Sequence, residues 1–158
     1  MGYQSFKELN VWQESKNLSI KIYKLTSEGN FSKDFSLKDQ IRRASISIVS
    51  NIAEGYERNS DKDFIRFLLI SKGSLSELRT QLEISMEIGY LDQDSYNQIE
   101  SQTQKIGKML TNLIKFHQPH SPIHPFTHQP IHPFTHSPIP PFTHIIKLPH
   151  FYYIIPCQ

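Results

Sequence analysis

Four groups of residues have the types and spacing to do chemistry. Glu54 and Glu77 are carboxylates that could divide general-acid and general-base work. Lys72-Gly73-Ser74 sets a cation, a flexible backbone and a hydroxyl side by side, the ingredients of a phosphate loop. Arg42, Arg43, Arg58, Lys62, Arg66 and Lys72 are enriched around one short connection and could meet a nucleic-acid backbone. His120, His124, His128, His132 and His136 recur every four residues, which on a helix would align them as metal ligands.

The elements that must carry these groups decide what they can do. Lys72-Gly73-Ser74 lies inside a run of helical period, with no preceding strand and no G-x-x-x-x-G-K pattern. Gly73 is expected instead to permit close helix approach. The basic residues are interleaved with Glu54, Glu57, Asp61 and Asp63, which favours a solvated surface over a dedicated phosphate site. The same neighbours, Arg42, Arg43 and Arg58, make ion pairing the expected role of Glu54 and Glu77. Pro122, Pro125, Pro130 and Pro133 forbid the helix that the histidine spacing would need. No metal site, cofactor or catalytic residue is expected.

Composition narrows the chemistry further. All eight histidines lie at or beyond His117, and the single cysteine is Cys157. The first 116 residues therefore hold no Ser-His-Asp triad, no Cys-His pair and no Glu-x-x-His di-iron site. One cysteine makes no internal disulfide. A formal charge of +2 neither requires nor excludes nucleic acid. The start of the chain is polar and no stretch approaches the ~20 apolar residues of a membrane span, so a cytoplasmic protein without membrane contact is expected.

All ten prolines lie at or beyond Pro119, and Lys147 alone among the Lys, Arg, Asp and Glu residues lies beyond residue 118. The chain thus reads as a helical part, 5–116, and a Pro/His-rich tail, 117–158. Ser5-Phe6-Lys7-Glu8 is a capping-box pattern opening a first helix through Leu9, Trp12, Leu18, Ile22 and Leu25. Ser36 is the expected cap of a second, whose apolar face is Leu37, Ile41, Ala44, Ile48 and Ile52. Ser60 opens a third, with Phe64, Leu68, Ser71, Leu75, Leu78, Leu82 and Met86 facing inward and Gly89 as its stop. Asp92 caps a fourth, through Ile99, Thr103, Ile106, Leu110 and Leu113. The expected fold is all-α, an antiparallel up-down-up-down four-helix bundle.

Two helices carry more apolar surface than one core needs. Ile46 and Ala53 fall off the core face of the second helix, and Ile70, Ile84 and Ile88 line up on the third with Glu77 among them. Such a line is either an over-wide core stripe with exposed isoleucines or a face for another subunit. Beside the core face of the second helix runs a polar line of Gln40, Arg43, Ser47 and Glu54. Asn51 stands at its inner edge, where a partly buried amide would set register or partner choice.

Gln40-Ile41-Arg42-Arg43-Ala44, followed by Ser47-Ile48 and Ser50-Asn51-Ile52-Ala53-Glu54-Gly55, resembles the bacterial four-helix bundle family also called the 23S ribosomal RNA intervening-sequence proteins. Phe6, Leu9, Val11, Trp12 and Tyr23 extend the likeness, as do Gly73-Ser74-Leu75, Glu77-Leu78 and Gly89-Tyr90-Leu91. It covers roughly residues 5 to 115. Arg79 departs from it, because the family pattern implies an acidic or neutral residue there. The resemblance implies an up-down bundle assembling into a ring-like homopentamer, with Gln40, Arg43, Asn51, Glu54, Gly55, Gly73, Glu77, Ile70 and Ile84 at motif or assembly positions. It also implies association with RNA or DNA, and, from similar bundles in retroelements, with a reverse transcriptase. It assigns no catalytic residue. The expectation is a non-enzymatic oligomeric accessory or scaffold protein. A protein-only scaffold and a small enzyme using Glu54 or Glu77 as base are the competing readings.

The tail repeats an octapeptide, at 121–128, 129–136 and 137–144, as a translated tandem DNA repeat would. Proline at this density favours an extended, disordered chain. It offers almost no charge and little continuous apolar surface with which to dock. Deleting residues 119–158 should leave the helical circular-dichroism signal and the unfolding midpoint nearly unchanged; a large loss of either would show that the tail belongs to the fold.

Overall fold

The computed structural model describes residues 5–118, and they form four helices. These are α1 (Asn10–Leu25), α2 (Phe35–Glu57), α3 (Asp61–Glu87) and α4 (Gln93–His117). α4 runs one residue past the expected boundary at 116. The tail, and every expectation made for it, lies outside the described residues. Among the described residues there is no strand, and no helix is long and apolar enough to cross a membrane.

Three of the four helices, α2, α3 and α4, begin where a side chain satisfies an orphan amide. Ser60 Oγ accepts from Asp63 N and Asp92 Oδ1 from Ser95 N, both as expected. The other two starts differ. Ser5 caps a single 3-10 turn, Phe6–Glu8, after which Leu9 takes an extended backbone and sinks into the core. α1 proper starts only at Asn10, because burying Leu9 breaks the helical path. For α2 the cap is Asp34 rather than Ser36: its carboxylate accepts from Leu37 N at 3.0 Å, so the helix starts at Phe35. At the end of α3, Gly89 has a φ of 77°, which lets Tyr90 N bond back to Ser85 O and Gly89 N to Met86 O.

The apolar stripes meet in one core. Leu18, Ile22, Ile41, Ile48, Ile52, Leu68, Leu78, Leu82, Ile99, Ile106 and Leu110 are fully buried. α2 packs on α1 and α3, and α4 closes the ring of four between α3 and α1. Cross-links fix the antiparallel register. Ser19 Oγ donates to Ser45 O between α1 and α2, and Ser71 Oγ to Ile48 O between α3 and α2. Lys105 Nζ reaches Glu14 from α4 to α1 at 2.7 Å.

The close approach expected at Gly73 occurs at Gly55. A Cβ at Gly55 would stand 2.6 Å from Phe67 Cβ and 3.1 Å from Phe64 Cδ2, whereas one at Gly73 would meet nothing within 4 Å. Gly73 lies exposed on the outer flank of α3, where its missing Cβ would touch no described residue. Gly55→Ala should therefore destabilise by about 1–3 kcal/mol, the usual cost of overpacking, less a helix-propensity gain of about 1. Gly73→Ala should stabilise the isolated chain by about 0.5–1 kcal/mol. Urea unfolding of the two variants under monomeric conditions checks the contrast; equal shifts would refute the packing described.

Candidate functional site

The outer edge of the α2/α3 pair collects most of the sequence-predicted residues. Its floor is a polar chain: Asn51 Nδ2 donates to Ser47 O and Oγ at 2.7 and 3.1 Å, and Ser47 Oγ lies 2.8 Å from Ser74 Oγ. Asn51 is half-buried and spends its amide within the fold. Gln40, Arg43 and Glu54 stand exposed on the α2 side. On the α3 side Ile70, Ile84 and Ile88 are 42%, 47% and 50% exposed, so they are not a widened core stripe. Ile46, on α2, is 43% exposed as well. Gly73 and Glu77 lie on the same flank and are open to solvent.

The carboxylates do not converge. Glu54 pairs with Arg58 at 2.6 Å, one helical turn on, as expected. Glu77 accepts from Gln81 Nε2 at 3.0 Å and makes no ion pair within the described residues. The pairing of Glu77 with Arg42 or Arg43 is therefore not formed inside one chain. Ser47 meets Ser74, which puts Glu77 level with Ala44 and ten residues from Glu54 along α2. At 1.5 Å per residue that is about 15 Å, too far for one acid/base pair.

The six basic residues are dispersed rather than gathered. Arg42 is drawn back to the end of α1: Nε donates to Thr26 Oγ1 at 2.8 Å, Nη2 to Ser27 Oγ at 3.0 Å, and the guanidinium lies over Tyr23. Arg58 is engaged by Glu54 and lies over Phe67. Lys62 and Arg66 are exposed near the start of α3. Lys72 faces the opposite flank, towards α4.

That flank holds an open groove of about 610 Å³ that sequence reasoning misses. Lys72, Ser76 and Arg79 line it from α3, and Gln104, Lys108 and Thr111 from α4. Arg79, the departure from the family pattern, is a strut between helices. Its Nε and Nη2 donate to both oxygens of Glu100, which also accepts from Thr103 and Gln104. These bonds, Arg79's first, hold the Glu100 carboxyl below the ordinary glutamate range and raise Arg79 further. One signal in the sequence could have found the groove: residues 64–76 and 101–116 contain no Asp or Glu.

A bundle with exposed side chains on two flanks, and no converged acid/base pair among the residues singled out, defines an all-α protein whose candidate sites are surfaces. The model of the 23S rRNA-intervening sequence protein family matches residues 7–112, and the chain belongs to that family. It is also similar to a crystal structure from Bacteroides thetaiotaomicron, described as a protein of unknown function from the S23 ribosomal protein family. The two are 30% identical over 66% of this chain and 98% of that one, with a TM-score of 0.61. No curated protein matches.

The strut has a pH signature. A carboxyl whose value is lowered on folding stabilises the fold above its unfolded value, near about 4.3, and loses that contribution as pH falls through the folded value. Glu100→Gln should cost about 1 kcal/mol at pH 7, since the pair is still partly open to water. The difference from the unmutated protein should vanish below that window. Urea midpoints of both proteins across the acid range measure it; a gap that persists at low pH would mean that Glu100 acts by packing alone.

Proposed function

We propose that this protein is a non-enzymatic assembling bundle that serves as a nucleic-acid-associated accessory or scaffold. The observation that carries the reading is the outer α2/α3 edge. Three isoleucines there lie 42–50% exposed, with Gly73 open and Glu77 lacking a cation among the described residues. Branched apolar side chains left in water contribute nothing to folding; an interface recovers roughly 25 cal/mol per Å² of the apolar area it covers. Arg43, exposed and without an ion pair among the described residues, is the complementary charge that a second copy would bring to Glu77. A carboxylate taken into an interface is tolerable when so paired.

Family resemblance makes a five-fold ring the expected form, with RNA or DNA, and a reverse transcriptase in some relatives, as the further partners. The separation of Glu54 from Glu77 and their engagement by Arg58 and Gln81 weigh against the enzyme reading. Light scattering at micromolar concentration should return a multiple of the chain mass. Ile84→Asp or Glu77→Lys should reduce it to the monomer while most of the helical signal remains. A monomer mass for the unmutated protein would overturn the assembly.

A further inference from the structure

We propose that the groove between α3 and α4 binds the sugar-phosphate backbone of a single-stranded nucleic acid, with Lys72 and Lys108 as its phosphate contacts. This rests on the nucleic-acid association proposed above and adds the surface that performs it. Of the basic cluster read from the sequence, that surface uses Lys72 alone.

The charge balance of the groove is one-sided. Lys72 and Lys108 line it, both exposed and without an ion pair among the described residues. Glu100, the carboxylate bonded to Arg79, is consumed by Arg79 Nε and Nη2, which leaves Arg79 Nη1 without a hydrogen bond among the described residues. Glu83 is a second carboxylate close enough to act on Arg79, at the groove's acidic end. Along the rest of the groove, residues 64–76 of α3 and 101–116 of α4 supply no acid at all. A cleft lined by one sign of charge over low-dielectric walls focuses its field, and here Leu75 and Gly107 supply apolar surface in the same lining as the two lysines.

The remaining lining fits a backbone better than bases. Ser76, Gln104, Thr111 and Asn112 offer hydroxyl and amide groups suited to phosphate and sugar oxygens, and no aromatic ring lines the groove to stack a base. Packed helix axes lie about 8–10 Å apart, so the channel between them suits one strand rather than a duplex. Recognition should then be indifferent to sequence and strongly salt-dependent. The groove is also compatible with assembly. Ile70 and Lys72 are two residues apart and so stand about 200° apart around α3, which leaves the groove open when the isoleucine edge is covered. Each added subunit would repeat it.

Fluorescence anisotropy of the full chain with a labelled single-stranded RNA, and with DNA of the same sequence, tests the proposal across a salt series. Both strands should bind, with Kd of roughly 10⁻⁴–10⁻⁶ M at physiological salt. Lys72→Glu and Lys108→Glu should each weaken binding several-fold and lower the salt slope by about 0.7 for each lysine removed. Glu100→Gln, which unties Arg79, should tighten it, and Arg66→Glu should change it little. Arg66→Glu weakening binding as much as the two lysine variants would overturn the groove, as would polyglutamate displacing RNA as readily as unlabelled RNA does. Light scattering on the same samples separates the two readings. An assembled protein that binds neither strand refutes the groove and leaves the assembly; a monomer that binds both refutes the assembly and leaves the groove.

Discussion

The closeness of α2 and α3 governs the rest of the molecule. With hydrogen for a side chain, Gly55 lets the α2 backbone reach the Phe64 and Phe67 side chains, and further along Ser71 comes near enough to bond Ile48 O. Ser47 and Ser74 touch hydroxyl to hydroxyl on the outer side of the same seam. Small residues at a helix interface trade buried apolar area for proximity, and a residue that overfills such a site is resisted because interiors are close-packed. The seam fixes the register of the bundle's most extensive helix pair. Register in turn decides that Glu77 lies level with Ala44 and far from Glu54, and that the isoleucines of α3 emerge on the outer edge.

Much of this is legible in the sequence because the signals are local. Helical period depends on neighbours three and four residues away, so spacing alone assigns Ile41, Ile48, Ile52, Leu68, Leu75, Ile106 and Leu110 to the core, and all are buried. Ser60, Asp92 and Gly89 act within one turn of themselves and do what their types imply. The failures share a different origin. Ser5 and Ser36 have the right type, yet the helix start is settled by Leu9 entering the core and by Asp34 reaching Leu37 N first. The close approach falls at Gly55 and not Gly73, because which of two helical glycines faces a neighbour is a property of the pair of helices.

The basic residues show the same limit more sharply. Six cations close together in sequence suggest one cluster, but consecutive helical positions turn by about 100°, and a loop reverses direction between α2 and α3. Arg42 ends on α1, Arg58 on Glu54 and Phe67, and Lys72 against α4. Lys72 and Lys108 lie 36 positions apart in the chain and line one groove. Proximity in sequence overstates shared chemistry on helices, and distance understates it.

Antiparallel packing joins two charge imbalances that each helix carries in one of its halves. The second half of α3 packs on the first half of α4, where Arg79 and Glu100 neutralise one another. The first half of α3 packs on the second half of α4, so the two stretches without carboxylates, 64–76 and 101–116, are brought together. Helix dipoles favour acids in first turns and cations in last turns, which accounts for Asp61 and Asp63 at the start of α3 and Lys115 at the end of α4. That preference fades within a turn of each terminus, so it accounts for neither Lys72 nor Lys108, both placed in helix interiors. Exposed ion pairs contribute little to stability, so leaving those lysines unpaired costs the fold little. Their placement is therefore free of the bundle's own requirements, set neither by capping nor by ion pairing.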